Sequence, residues 1–334
     1  MPSCLGVAVV GLGVGEQHAL AYARLSQCSL RWLYDLDRQR AEVVRARLGH
    51  GRAAESFEAI LADRDVDLVS IASYDDAHFA QVAGALAVGK HVFVEKPMCR
   101  SVRELERVKR EQQRSGSHLA SNLVLRAAPL YRWLTEFVRA GDLGDVYAFD
   151  GEYLYGRLEK IMLGWRKDVP EYSVMQGGGV HLIDLMLRIT GQRPVRVHAS
   201  GNRICSAGTR FRYNDYSAAT FEFASGLIGR ITANFGCVHR HQHVVRVFGT
   251  RGSFIYDDKG PRLHTSRDPA VPVREIDASP LPASKGDLIP GFVSAIVGGA
   301  DASETAQQEF DVIATCVAAD HALDATGTCD IVYV

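Results

Sequence analysis

Cysteine is sparse and unpatterned: the seven stand at 4, 28, 99, 205, 237, 316 and 329, an odd number with no CxxC pair. That argues against a disulfide framework or a clustered zinc site and for reduced thiols inside a cell. No apolar run reaches the roughly 18 residues that span a bilayer. The apolar start, residues 5–14, has no Lys or Arg before it and runs into Glu16, Gln17 and His18, so it does not read as a targeting segment. Net charge is almost absent, with 38 Lys plus Arg against 39 Asp plus Glu. A chain so balanced offers no global field to nucleic acid or to an anionic membrane. Internal repeats and low-complexity tracts are also missing, and 47% hydrophobic with 23% charged residues is not the composition of a disordered chain. What remains is a soluble, cytoplasmic globular protein. At roughly 100 to 200 residues per domain, its 334 residues imply two domains.

The first 122 residues alternate short apolar runs with helix patterns. Strands are expected at 7–10, 30–34, 66–72, 91–94 and 118–122, and helices at 17–25, 38–48, 57–61 and 77–88. A further helix, running to 114, starts at the capping-box spacing of Ser101 and Glu104. This alternation is the pattern of βαβ units, a doubly wound parallel sheet of the Rossmann kind. From about Leu143 the period changes. Strands expected at 144–155, 195–204, 218–223, 227–235, 244–249 and 253–256, joined by tight turns, predict a large, mostly antiparallel open sheet. One glycine-opened helix at 180–190 interrupts them. Residues 257–285 are rich in Pro, Asp and Ser and are expected to be irregular, before helices near 290–297 and 305–323. The fold class is thus α/β: residues 1–122 a dinucleotide-binding domain, and 123–334 an α+β domain for substrate binding and oligomerisation. The terminal segment is expected to pack back on the first domain.

The first strand leads into Gly11-Leu12-Gly13-Val14-Gly15 and then into a helix. Glycines there let the backbone turn tightly and approach a pyrophosphate, whose charge the helix N-terminus meets. The spacing is GxGxG, with Glu16 at the usual third glycine, so a plain strand-to-helix turn is the competing interpretation. Asp35 ends the second strand, 24 residues after Gly11. A carboxylate at this position accepts hydrogen bonds from the adenosine ribose hydroxyls and repels a phosphate there, which favours NAD over NADP. Arg38 pulls the other way, because a nearby arginine accommodates that phosphate. Asp37 reads as a helix cap.

At the end of the expected strand 91–94 stands Gly89-Lys90-His91-Val92-Phe93-Val94-Glu95-Lys96-Pro97. With it go the GLGVGEQHA turn, His78 eighteen residues before Lys96, Asn122 with Arg126, Gly141-Asp142-Leu143-Gly144-Asp145-Val146, and Gly177-Gly178-Gly179-Val180-His181-Leu182-Ile183-Asp184. On these motifs the chain resembles the glucose-fructose oxidoreductase / inositol dehydrogenase (Gfo/Idh/MocA) family over nearly its whole length. The resemblance implies a Rossmann domain followed by an α/β domain whose open sheet forms the interface of a homodimer or homotetramer. Beyond the 11–15 turn, Asp35 and Arg38, it implies cofactor contacts at Ser73, His78, Glu95, Lys96 and Asn122.

Oxidising a secondary alcohol requires a hydride to reach C4 of nicotinamide while a base removes the hydroxyl proton. Lys96 is expected at the carboxyl end of a parallel strand, the edge where such sheets bind ligands. Burial beside a cationic ring favours its neutral, proton-accepting form. The alternative is a solvated lysine before a turn; Pro97 restricts Lys96 to extended backbone and admits a cis bond. His181 is the second catalytic candidate. In the family's DxGxH pattern the histidine is assisted by an Asp four residues earlier, and here that position is Gly177. His181 then acts alone, is oriented by Asp184 on the same helical face, or only binds a hydroxyl.

On the substrate side the resemblance implies contacts from Tyr153, Tyr155, Trp165, Arg166, the region around Tyr172, and Arg126 at the domain junction. Trp165 could stack on a sugar face while Arg166 binds a hydroxyl, carboxylate or phosphate. In Cys237-Val238-His239-Arg240-His241-Gln242-His243, a strand would put 237, 239, 241 and 243 on one face. Same-face neighbours on one strand rarely converge on a tetrahedral centre, and hydride transfer needs no metal, so none is expected. The expected activity is NAD-dependent hydride transfer to or from a secondary hydroxyl or ketone of a sugar, nucleotide sugar or cyclitol, first at C3 of a sugar ring. The alternatives are a glycoside hydrolase or lyase working by transient oxidation, and a non-catalytic NAD-binding regulator.

Overall fold

The computed structural model describes residues 4–324 and 327–334. The chain divides into two compact units, one made of Met1–Val124 with Pro282–Phe310 and Val334, the other of Leu125–Leu281 with Asp311–Tyr333.

The first unit runs β1 (Leu5–Val10), α1 (Gly15–Ala23), β2 (Cys28–Tyr34), α2 (Arg38–Leu48), β3 (Arg52–Ala53), α3 (Phe57–Ala62), β4 (Leu68–Ile71), α4 (Asp75–Ala87), β5 (His91–Val94), α5 (Val102–Ser115) and β6 (Leu119–Ser121). Its six strands are parallel in the order β3-β2-β1-β4-β5-β6, the doubly wound arrangement the alternation predicted. Every residue of β1 is buried, as a strand covered on both faces must be. Ser101 caps α5 by accepting from Glu104 N at 3.2 Å, and the helix ends at Gly116 in the left-handed conformation. The order reverses between β1 and β4, which opens a crevice at their carboxyl ends.

The second unit begins with a 3₁₀ turn (Val124–Ala127) and α6 (Pro129–Arg139), a helix with proline in its first turn that the strand-centred expectation passed over. Then come β7 (Val146–Leu154), the single turn α7 (Glu159–Met162), a π-helical turn (Met175–Gly179), α8 (Val180–Thr190), β8 (Pro194–Asn202), β9 (Tyr216–Phe223), β10 (Ile228–Asn234), β11 (Gln242–Gly249) and β12 (Ser253–Asp257). The 257–285 stretch is not wholly irregular. It adds β13 (Gly260–His264) and β14 (Arg274–Glu275) to the sheet edge, where Pro261 is tolerated. After α9 (Ile289–Val297) and α10 (Ala302–Asp324), β15 (Thr328–Asp330) closes the other edge. The nine strands lie in the order β14-β13-β12-β11-β7-β10-β9-β8-β15, antiparallel except for β7 with β10.

Two packing features position the candidate residues. Residues 282–310 return to the first unit because Ile289, Phe292, Val293 and Ile296 are an apolar stripe buried in the same cluster as Val7, Tyr22 and Phe93. In the second unit α8 lies against β7 and β10. The other face of that sheet carries exposed Tyr147 and the cross-strand pairs Arg230–Asp150 at 2.9 Å and Arg246–Glu152 at 2.5 Å. No helix among the described residues is long and apolar enough to cross a membrane.

Candidate active site

In the first unit the 11–15 turn joins β1 to α1. Gly11 has φ +81°, and a Cβ on it would stand 2.5 Å from the Ala72 carbonyl, so only glycine fits. Gly13 is exposed, and a Cβ there would meet nothing within 4 Å. Leu12 is buried, and no side chain caps the start of α1. The helix therefore presents uncapped N–H groups beside open backbone, the arrangement that receives a phosphate. Asp35, just beyond β2, accepts from Leu12 N at 2.7 Å and Asp37 N at 2.9 Å, which ties the turn to the end of the second strand. Asp37 caps α2 through Gln39 N and Arg40 N. The cation near Asp35 is Arg40, at 3.8 Å; Arg38 stands exposed in the first turn of α2.

Glu95 and Lys96 follow β5, and the Lys96–Pro97 bond is cis. Behind them lies a buried polar network. The Asn122 amide donates to Glu95 Oε1 at 2.8 Å and to Lys285 O at 2.9 Å. His18 Nε2 lies 3.1 Å from that amide nitrogen and 3.4 Å from Glu95 Oε1, and its Nδ1 lies 3.1 Å from Ser70 Oγ. Burial alone would raise the Glu95 carboxyl, but the His18 hydrogen bond and charge, the Lys96 charge and the Asn122 amide outweigh it and hold it at about 2. Glu95 is thus a fixed anion next to Lys96. The Asn122 Oδ1 is buried and has no hydrogen-bond partner among the described residues, an acceptor suited to an incoming N–H or O–H. The exposed glycine turn, Asp35 and this acceptor fit a dinucleotide.

His78 does not belong with these contacts. Its ring is fully buried, Nδ1 lying 2.8 Å from Pro97 O and Nε2 3.1 Å from Ser73 O, so it staples the loops after β4 and β5 from behind. Ser73 Oγ donates to Gln81 at 2.6 Å. A concavity of about 340 Å³ lined by Asp63, Asp67 and Lys90 lies at the amino ends of β4 and β5, away from the ligand edge.

In the second unit, alternate residues of β7 bring Tyr153, and just beyond it Tyr155, to the face covered by α8. Their rings stack at 6.0 Å, and Tyr153 lies 6.4 Å from the His181 ring. The helix expected at 180–190 is α8 (Val180–Thr190), and His181 stands in its first turn. The π turn Met175–Gly179 runs into α8, burying His181, and such turns are frequent at functional sites. Ser173 and Gln176 hold this turn by donating to the two oxygens of Asp320 at 2.6 and 2.7 Å. Asp184 does not serve His181 in the way the shared helical face suggested. It is buried and clamped by Arg126, whose Nε donates to both of its oxygens at 3.0 Å and Nη2 to Oδ1 at 2.7 Å. The two candidates satisfy one another as an ion pair.

Residues 237–241 are irregular, and the strand starts only at Gln242, so the expected single face of Cys and His does not form. His239 turns out to Asp258 at 3.1 Å. His241 and His243 join the tyrosine wall, their rings 4.9 Å apart and that of His243 5.8 Å from His181. Among the described residues no group of His, Cys, Asp and Glu is placed to hold a metal ion. The Arg166 guanidinium lies 4.5 Å over Trp165, and its Nε donates to Tyr172 Oη at 3.0 Å.

The comparisons with known proteins agree with both units. Residues 5–123 match the model of an oxidoreductase family with an NAD-binding Rossmann fold, and residues 131–255 match that of the GFO/IDH/MocA C-terminal domain. The chain belongs to the GFO/IDH/MocA family. Its first unit is an NAD-binding Rossmann domain, and the protein is an NAD(P)-dependent oxidoreductase. An uncharacterized oxidoreductase of Rhizobium meliloti is 29% identical over 66% of this chain and 63% of its own length. A 1,5-anhydro-D-fructose reductase of Ensifer adhaerens is 28% identical over 81% of each chain. Among solved structures, a levoglucosan dehydrogenase in complex with NADH superposes with a TM-score of 0.86 at 19% identity, over 99% of this chain and 100% of that one, which is a likeness of fold.

His18, Arg40 and Asp320 were not singled out from sequence as site residues, whereas the region around Tyr172 was. His18 falls inside GLGVGEQHA on the buried side of α1 and was visible there. Tyr172 and Asp320 carry no motif of their own.

Proposed function

We propose that this oxidoreductase transfers a hydride between NAD and a secondary hydroxyl or ketone of a sugar, nucleotide sugar or cyclitol, with C3 of a sugar ring as the first position to test. The observation that carries the proposal is Lys96 at the carboxyl end of β5, beside a carboxylate held ionised by His18 and Asn122. Bound NAD would supply the hydride-accepting and hydride-donating chemistry, and the residues of this chain would hold and orient the reactants. Lys96 holds the reacting oxygen by hydrogen bonding, and the Glu95 charge favours a positive lysine at the moment a proton sits on it. His181, in the second unit, is the second residue of the proposal, as a proton acceptor or relay. Asp35 favours NAD, and Arg40 moderates that preference. The turn 11–15 with Asn122 holds the dinucleotide, and Tyr153, Tyr155, Trp165 and Arg166 hold the substrate.

The test is NADH formation by the purified protein across sugars, nucleotide sugars and cyclitols, with Lys96→Ala alongside. Oxidation of at least one class is expected, and the variant should bind NAD yet turn over roughly 10² to 10⁴ times more slowly. A variant that keeps full turnover removes Lys96 from the chemistry. NAD binding with no turnover of any compound would favour a regulator. The same reading places the protein in the cytoplasm as a homodimer or homotetramer joined through the open face of the nine-stranded sheet, which light scattering of the wild type and of a Tyr147→Glu variant would test.

A further inference from the structure

We infer that Lys285 is a further cofactor-binding residue of this oxidoreductase, its ammonium pairing with the diphosphate of NAD. The assignment rests on the reading above that the 11–15 turn and Asn122 hold the dinucleotide, and it adds a residue from the stretch that returns to the first unit late in the chain. Residues 283–287 form a built turn there. Ala283 N and Ser284 N donate to Asp287 Oδ2 at 2.8 and 3.1 Å, Gly286 N donates to Ser284 Oγ at 2.9 Å, and Ile289 N donates to Gly286 O at 3.0 Å.

Three contacts seat this turn at the cofactor edge. The Asn122 amide donates to Lys285 O at 2.9 Å, and the same nitrogen holds Glu95 beyond the carboxyl end of β5. Gly286 is buried against α1, where a Cβ would stand 2.6 Å from Ala21 Cβ and 3.1 Å from Gln17 O, so a residue without a side chain is what allows the approach. Ile289 anchors the far end in the core cluster of Val7 and Tyr22. The backbone of Lys285 is thus fixed between Asn122 and the first two turns of the helix that follows the glycine turn. Its side chain is exposed, and among the described residues its Nζ makes no hydrogen bond or ion pair.

The charge balance at this edge calls for such a group. A helix N-terminus offers about half a positive charge, whereas a diphosphate carries about two negative ones. Glu16 in the first turn of α1 opposes an anion, and Arg47, 2.5 Å away, offsets that acid. The other acids nearby are occupied: Asp35 by Leu12 N and Asp37 N, Glu95 by Asn122, and Asp287 by its own turn. Lys285 keeps a whole charge facing solvent, on a flexible stem that suits a phosphate as a point charge. On the other side of its carbonyl contact, Asn122 Oδ1 is buried without a partner among the described residues, which points independently to a ligand here.

The experiment titrates NADH and ADP-ribose, by fluorescence and calorimetry, into the wild type, Lys285→Met, Lys285→Arg and Asp35→Ala, with a melting curve for each. ADP-ribose keeps the diphosphate and lacks the nicotinamide. Lys285→Met should therefore weaken both ligands about tenfold, and Lys285→Arg should keep most of the affinity. The gap between wild type and Lys285→Met should shrink as NaCl rises from about 50 mM to about 500 mM, as an exposed ion pair requires and a packing defect does not. Unchanged affinity in Lys285→Met overturns the inference, as do a loss confined to NADH, an equal loss in Lys285→Arg, and a gap that salt leaves untouched. Asp35→Ala tests the reading beneath it: if this variant is weakened while Lys285→Met is not, the dinucleotide occupies the crevice and Lys285 alone is excluded. An Asp35→Ala that binds both ligands like wild type counts against the crevice instead. No sugar enters these titrations, so failure to find a substrate counts against the dehydrogenase proposal alone.

Discussion

The two units assemble their polar groups by opposite means. In the first, the groups stand on loops at the carboxyl ends of parallel strands, so Gly11 to Gly15, Asp35 and Glu95-Lys96 are placed by short segments next to the strand that carries them. In the second, the wall is built from β7, the 165–167 turn, the π turn before α8 and the start of β11, which are distant in sequence. A local motif specifies the first arrangement, while the second exists only after a long sheet has closed around it. Changes in the first unit should therefore act on cofactor and chemistry, and changes in the second, His181 apart, on packing and selectivity.

The largest effect expected is that of Lys96→Ala, roughly 10² to 10⁴ in kcat with NAD binding kept, measured by steady-state kinetics beside NAD titration. Next is Glu95. Its carboxyl sits at about 2 in the folded protein against an ordinary value of 4.5, so the network contributes stability above that ordinary value and loses it as pH falls from about 4.5 to about 2. The contribution is on the order of 3 kcal/mol, and Glu95→Gln should flatten the acid limb of the unfolding profile by about that much. An unchanged profile would mean that the His18 and Asn122 contacts hold no charge in place.

Asp35→Ala should weaken NAD about tenfold to hundredfold and narrow the gap to NADP, read as the ratio of the two cofactors' kcat/KM. The sharpest contrast between the units comes from a pair of glycines. Gly178→Ala drives a Cβ into the Tyr153 ring and should cost about 1 to 3 kcal/mol, visible as a lower Tm. Gly13→Ala meets no protein atom within 4 Å and should leave folding stability within about 0.5 kcal/mol of wild type while weakening NAD. If both variants lose only stability, the distinction between a cofactor turn and a packing turn collapses. The smallest effect belongs to the open sheet face, where Arg230→Ala removes a mostly exposed pair with Asp150 and should change folding stability by no more than about 1 kcal/mol.

Much of the first unit was legible because strand, turn and helix follow one another in the chain, and each has its own signal: the buried run of β1, the glycines after it, the acid after β2. His78 was misplaced for a physical reason. A histidine near a ligand loop looks the same in sequence whether it faces the ligand or staples the loop from behind, and only the carbonyls of Ser73 and Pro97 decide. In the second unit the alternation of Tyr153 and Tyr155 on one strand was readable. The pairing of Arg126 with Asp184 was not, because two charged residues 58 positions apart carry no sign of meeting until α8 folds beside the start of the unit. Residues 237–243 failed in a third way: strand periodicity applies only where a ladder exists, and this one begins at Gln242.

By itself the sequence determined the doubly wound sheet, the glycine turn after its first strand, the acid after the second, the lysine after β5 and a second domain of mostly antiparallel strands. These depend on local periodicity and on short spacings, which survive without any knowledge of long-range contacts. Only the tertiary structure decided which residues of the terminal segment, 282–310, join the first core, that Tyr172 Oη stands where a Cβ on Gly177 would be, and that two arginines lie near the Tyr155 ring. Those outcomes depend on which distant surfaces exclude water together. That choice is made by packing, and no short stretch of sequence encodes it.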